Sequence, residues 1–324
     1  MVLFRGIVGT AASICENPGC GAMISLQQII NSSLSLRFVS ILAQRLSPRL
    51  GYPFARFVAD QIVRQRDSKL VRAVRANQWV IRGESLDGEV LNRVVHETFH
   101  AWARSLFDLY HYIDDLDATS QLIVVEPSFQ KFVQRPEFDE RGLVLIGLHL
   151  SNFDLILQWL CKGGMKPLAL TIPDPQGGRR MEYEMRRRTG LNLVPGSVSA
   201  LRQAIKYLQR GGMVVTGIDR PIPDPNPCPR FFGRPAALPV HHIFLATKAH
   251  VPITVGVVIL QSDGKYHVSA SDPIEMDHHP DVDAGLLHNA EKVLAVADGF
   301  IRQAPQQWSV PLPVWPQVMD LVPK

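Results

Sequence analysis

In the segment LVLIGLHLSNFDLILQWL, His149 and Asp154 have the residue types and spacing most readily turned to chemistry. The apolar run puts His149 at the end of a buried strand and Asp154 at the start of the next helix, so the step between them crosses a tight turn. An imidazole there can take a proton from an attacking hydroxyl, provided a carboxylate holds its other nitrogen in the right tautomer and stabilises the imidazolium. Asp154 is the expected carboxylate. The helix beginning near Asn152 would turn its positive end toward a developing oxyanion. Two other pairs, His267/Asp272 and His278/Asp283, repeat the spacing, so spacing alone does not select. The second runs along and past a strand and the third lies in a polar linker. Only His149 falls where a strand delivers groups to the carboxyl edge of a sheet.

A different chemistry is spelled by VHETFHAW. His96-Glu97-x-x-His100 is the spacing by which a helix presents two zinc ligands and a base. A third ligand is missing from the linear pattern: Leu106 stands where an extended motif would want histidine, and no acidic helix follows. The expectation is therefore no metal, with both histidines on the surface of an amphipathic helix; a zinc-dependent hydrolase using His96, Glu97 and His100 is the alternative. His241/His242 and His278/His279 lack ligand periodicity and are expected at polar surface. Arg179, Arg180, Arg186, Arg187 and Arg188 could grip phosphates against Glu182 and Glu184, and Arg220 and Arg230 are similar candidates. The four cysteines, Cys15, Cys20, Cys161 and Cys228, have no paired metal spacing and point to a reducing compartment.

These residues need a frame. The first 135 residues read as helices, broken at Ser47-Pro48, at Gly51-Tyr52-Pro53 and near Gly83-Glu84-Ser85, with no strand before Gln121 to Glu126. From Gly142 onward strands and helices alternate. Strands are expected at 143–150, 167–172, 191–194 and 213–219, with helices at 152–162, 179–188 and 197–209. Such alternation predicts an α/β fold, a mostly parallel central sheet covered by helices. Residues 251–260 and 266–271 look like a hairpin around Ser262-Asp263-Gly264, and a last helix spans 283–303. The seven prolines from Pro221 to Pro239 require a stiff loop, which commonly borders a site. The division is a helical portion over 1–135 and an α/β portion over 136–324, joined in one continuous fold.

Composition agrees with a folded enzyme: 46% hydrophobic, 20% charged and no low-complexity tract. No apolar run reaches the ~20 residues of a spanning helix, and residues 1–14 match a signal peptide poorly. The net charge of +4 conceals a local excess, because Leu34 to Arg75 holds nine cations against two acids. Apolar residues interleave there at helical spacing, a pattern suited to an anionic membrane surface or to a helix packed on the core with solvated arginines opposite. No nucleic-acid motif accompanies the charge.

HLSNFD, with Asn152 inside it, resembles the catalytic block of the lipid A biosynthesis acyltransferases, which belong to the lysophospholipid acyltransferase superfamily together with phosphatidylinositol mannoside acyltransferases. MRRRTG, GGMVVTGIDRP, FFGRPAALP and FIRQAPQQW follow in matching order, so the resemblance covers residues of about 30 to 310. It implies His149 and Asp154 as a catalytic dyad, and Asp219 in a strand-end block near it. Asn152, Arg180, Arg188, Asp219 and Arg220 are expected to bind substrate. The implied reaction moves an acyl group from acyl-carrier protein or acyl-CoA to a hydroxyl of a membrane (glyco)lipid, with no cofactor, on the cytoplasmic face of the inner membrane and by peripheral attachment. A thioester is already activated, so the acceptor can attack it directly. Departures include Asp154 where many relatives carry Glu, His241 and His242 after Pro239, and VPLPVWP after the Gln-Trp pair. A non-catalytic lipid-binding protein with the same fold is the remaining alternative.

Overall fold

The computed structural model describes residues 33–134, 141–171, 178–223 and 225–323. Residues 1–14, Cys15 and Cys20 lie outside the described residues.

Among the described residues four helices come first: α1 (Ser33–Arg45), α2 (Pro48–Val63), α3 (Lys69–Ile81) and α4 (Gly88–Tyr112). Side-chain caps start two of them, with Ser68 accepting from the Val71 N–H and Asp87 from that of Val90. Gly51-Tyr52-Pro53 does not break the chain as expected; it lies inside α2. Gly51 serves close approach instead, since a Cβ there would stand 2.1 Å from the Phe107 ring on α4.

The chain continues through α5 (Leu116–Gln121), β1 (Ile123–Val125), α6 (Pro127–Val133), β2 (Leu143–Gly147), α7 (Phe153–Lys162), β3 (Leu168–Thr171) and α8 (Gly178–Arg188). Then come β4 (Asn192–Pro195), α9 (Val198–Leu208), β5 (Met213–Gly217), a two-residue pairing of β6 (Arg230–Phe231) with β7 (Arg234–Pro235), and α10 (His241–Ala249). The hairpin β8 (Ile253–Leu260) and β9 (Tyr266–Ala270) precedes α11 (Val282–Ile301). The proline-rich stretch is not all loop, because β6 and β7 pair within it. α10 is not predicted by the sequence pattern, because its short apolar run HHIFLATKA follows that stretch without a cap signal.

The seven-stranded sheet has the order β1-β9-β8-β2-β5-β3-β4. Every neighbouring pair is parallel except β8 with β9. Its central strands are buried on both faces, which is why they read as continuous apolar runs. In β2 the alternation sends Val144 and Ile146 to one face and Leu143 and Leu145 to the other. The first face packs on α3, α9, α10 and α11, and the second on the C-terminal part of α4 with α6 and α7. Helices before residue 135 and the sheet share this core.

The C-terminal segment is drawn in by α3. Buried Asn77 donates to the carbonyls of Val310 and Leu312 and accepts from the Val314 N–H, while Gln78 donates to the carbonyl of Pro305. A segment whose only helices are the short 3-10 turns Pro305–Gln307 and Pro316–Val318 is thereby fixed against the carboxyl end of β2, where Leu150 bridges Trp308.

Candidate active site

β2 and β5 lie side by side in parallel, with Gly147 opposite Gly217. Two residues beyond each glycine stand His149 and Asp219, so the register alone brings them level at the carboxyl edge of the sheet. Asp219 Oδ1 is 2.7 Å from His149 Nδ1, and Asp219 Oδ2 accepts from the His149 backbone N–H and from Trp308 Nε1, each at 2.8 Å. An ionised carboxylate can only accept, so Nδ1 carries the proton and Nε2 is left as the base. His149 keeps 24% of its side chain exposed while Asp219 is fully buried. Burial pushes the Asp219 carboxyl up, but the facing His149 charge, the ring and backbone hydrogen bonds of His149 and the Trp308 N–H together hold it below the usual range. The Phe153 ring meets the imidazole edge-on at 5.1 Å, and Gly217 lies beneath its Cε1.

The carboxylate on His149 is therefore Asp219, whereas the sequence reading assigned that place to Asp154. Asp154 sits in the first turn of α7, beyond a reversal made by Ser151 in the left-handed conformation at φ 51°, a strain of ~1–3 kcal/mol for a residue other than glycine. From there its carboxylate takes a two-pronged ion pair from Arg186 on α8, Nε to Oδ1 at 2.8 Å and Nη2 to Oδ2 at 2.6 Å. Gln158 adds a long contact at 3.5 Å. Asn152 is buried and its amide donates to the Ser105 carbonyl and to the Tyr266 hydroxyl, which in turn donates to buried Asp108 at 2.5 Å. These bonds brace the turn against α4.

The arginine cluster also divides differently. Arg180 is exposed and pairs with Glu184, and Arg188 is exposed, because helical spacing turns Arg188 about 200° from Arg186. Arg186 and Arg220 line the cavity beside His149. Arg230 instead donates to the Gly233 carbonyl.

That cavity encloses about 390 Å³ between α4, α7 and the sheet. Leu106, Leu109, Phe129, Ile156, Leu157 and Val258 are among its walls, and His149, Asp154, Arg186, Arg220 and Thr216 contribute its polar groups. An apolar slot ending on a few convergent polar groups is the usual form of a site for a small or chain-like ligand.

The remaining histidines fall elsewhere. His267 pairs with Glu126 and Asp263, not Asp272, and His278 and His279 are at the surface. His242 departs from the expected polar surface. It is fully buried in α10 with neither ring nitrogen partnered, and His241 contacts Thr216 Oγ1 at 2.8 Å. Burial drives the pKa of His241 down to about 4 and that of His242 well below its ordinary value.

A mostly parallel sheet carrying an imidazole, its carboxylate and an apolar slot at its carboxyl edge defines an α/β protein with a base placed beside a cavity. The chain belongs to the bacterial lipid A biosynthesis acyltransferase family, whose model matches residues 36–315. Membership makes it an acyltransferase of lipid biosynthesis. No curated protein matches the chain significantly. No helix among the described residues is long and apolar enough to cross a membrane.

Proposed function

We propose that this chain transfers a fatty acyl group from an acyl thioester, carried on acyl-carrier protein or CoA, to a hydroxyl of a (glyco)lipid. The observation that carries the mechanism is the His149–Asp219 pair at the mouth of the apolar cavity, with Nδ1 engaged by Asp219 and Nε2 without a partner among the described residues. His149 Nε2 takes the acceptor proton as the hydroxyl oxygen attacks the thioester carbon, and the proton then passes to the departing thiolate. Asp219 holds the ring and balances the imidazolium. The acyl chain lies along Leu106, Leu109, Phe129 and Ile156, while Arg220, beside the Asp154–Arg186 pair, faces the phosphates of donor or head group.

Attachment is peripheral, on the cytoplasmic membrane face. Ile41, Leu50, Phe54 and Phe57 on α1 and α2 are exposed among the arginines of that segment, which supports an anionic lipid surface as the neighbour.

The test is transfer from a radiolabelled acyl thioester into a bacterial lipid extract. His149→Ala should lower the rate by about 10² to 10⁴ with an unchanged circular dichroism spectrum. Near-normal transfer by that variant would remove the mechanism.

A further inference from the structure

The His96-Glu97-x-x-His100 pattern lacks a third ligand in the linear sequence, and the fold supplies one. α2 packs along α4 so that Asp60 faces both imidazoles. Asp60 Oδ1 is 2.5 Å from His100 Nε2 and 3.1 Å from His96 Nε2. The two rings meet edge-on with centroids 4.4 Å apart, and one ligand atom from each of the three residues lies within 4.8 Å of the others. Both imidazoles converge on one carboxylate oxygen, so a cation between them could take both nitrogen lone pairs and the oxygen.

We propose that Asp60, His96 and His100 bind a zinc-class divalent cation that fastens α2 to α4. Two imidazole nitrogens and one carboxylate suit zinc and its neighbours, and a fourth position is left to water. Ligand atoms around tetrahedral zinc stand roughly 3.3 Å apart, given bonds of about 2.0 to 2.2 Å, so small rotations of the three side chains admit the ion. Their side chains are 28–44% exposed, which leaves an entry path. The site is a clamp and not a hydrolytic centre, because Glu97, the base such a motif needs, is exposed and its charge acts on Arg82. Arg64 adds positive potential near Asp60 and limits the affinity. The clamp holds in place the helix that exposes Leu50, Phe54 and Phe57, and none of its ligands lines the cavity beside His149.

The experiment titrates chelator-stripped full-length protein with Zn²⁺ by calorimetry and with Co²⁺ by visible absorption, and measures Tm with and without Zn²⁺. Wild type should take up one equivalent and gain Tm. His96→Ala/His100→Ala should lose that equivalent, and Asp60→Asn, which keeps the side-chain shape, should bind at least about tenfold more weakly. Glu97→Gln and His149→Ala should bind as wild type does, so a failure of the acyl-transfer reading leaves this result standing. Absence of stoichiometric binding by wild type overturns the proposal. So does wild-type affinity in the Asp60 variant and the double-histidine variant, the Asp60 variant alone deciding should the double one not fold.

Discussion

Asp219 and Asp154 stand at the same edge of the same sheet, each held by hydrogen bonds to a basic side chain, and they serve different ends. Asp219 is sealed from solvent and spends its oxygens on His149 and Trp308. Asp154 retains slight exposure and is matched prong for prong by Arg186. Position along the chain explains the division. Asp219, just past β5, stands level with His149, just past β2, while Asp154 comes after the Ser151 reversal and is carried by α7 toward α8. A carboxylate close in sequence to a base is not thereby its partner; strand register decides who faces whom.

The comparison breaks most decisively at Asp219. Asp219→Asn should cut acyl transfer by about 10² to 10⁴, since the amide can donate to Nδ1 and select the wrong tautomer. A loss confined to KM in steady-state kinetics would refute the orienting role. Asp154→Asn should act chiefly on stability, lowering it by about 1 to 3 kcal/mol because the amide replaces a two-pronged, partly buried ion pair with Arg186. Urea denaturation measures this, and a kcat loss as large as that of Asp219→Asn would exchange the two assignments.

Acid separates the regions more gently. Asp219 is held below the usual carboxylate range, so its pairing with His149 survives mild acid. His241 and His242 are neutral in the fold with depressed pKa values. The unfolded chain therefore binds more protons once pH falls below the free value of about 6.5. Stability is full above that pH and is lost progressively down to about 4, the His241 value. Tm measured across this window should fall, and His242→Leu should flatten part of the decline; an unchanged profile would mean that the ring finds a partner.

The sequence by itself determined the class of fold, because apolar runs alternating with amphipathic helices can bury both faces only as a helix-covered parallel sheet. It also located His149, since a histidine ending such a run must reach the sheet's carboxyl edge. The parallel phrases LVLIGLH and MVVTGID even carried the signal for Asp219, each with its polar residue two places after the glycine. What that signal lacked was adjacency: β2 and β5 are some seventy residues apart, as the separation of His149 and Asp219 shows, and nothing local says that they pair. The tertiary structure also decided that Arg186 and not Arg180 or Arg188 reaches the site, that Trp308 completes the grip on Asp219, and that Asp60 meets His96 and His100. Each depends on contacts between elements far apart in the chain, which local periodicity does not encode.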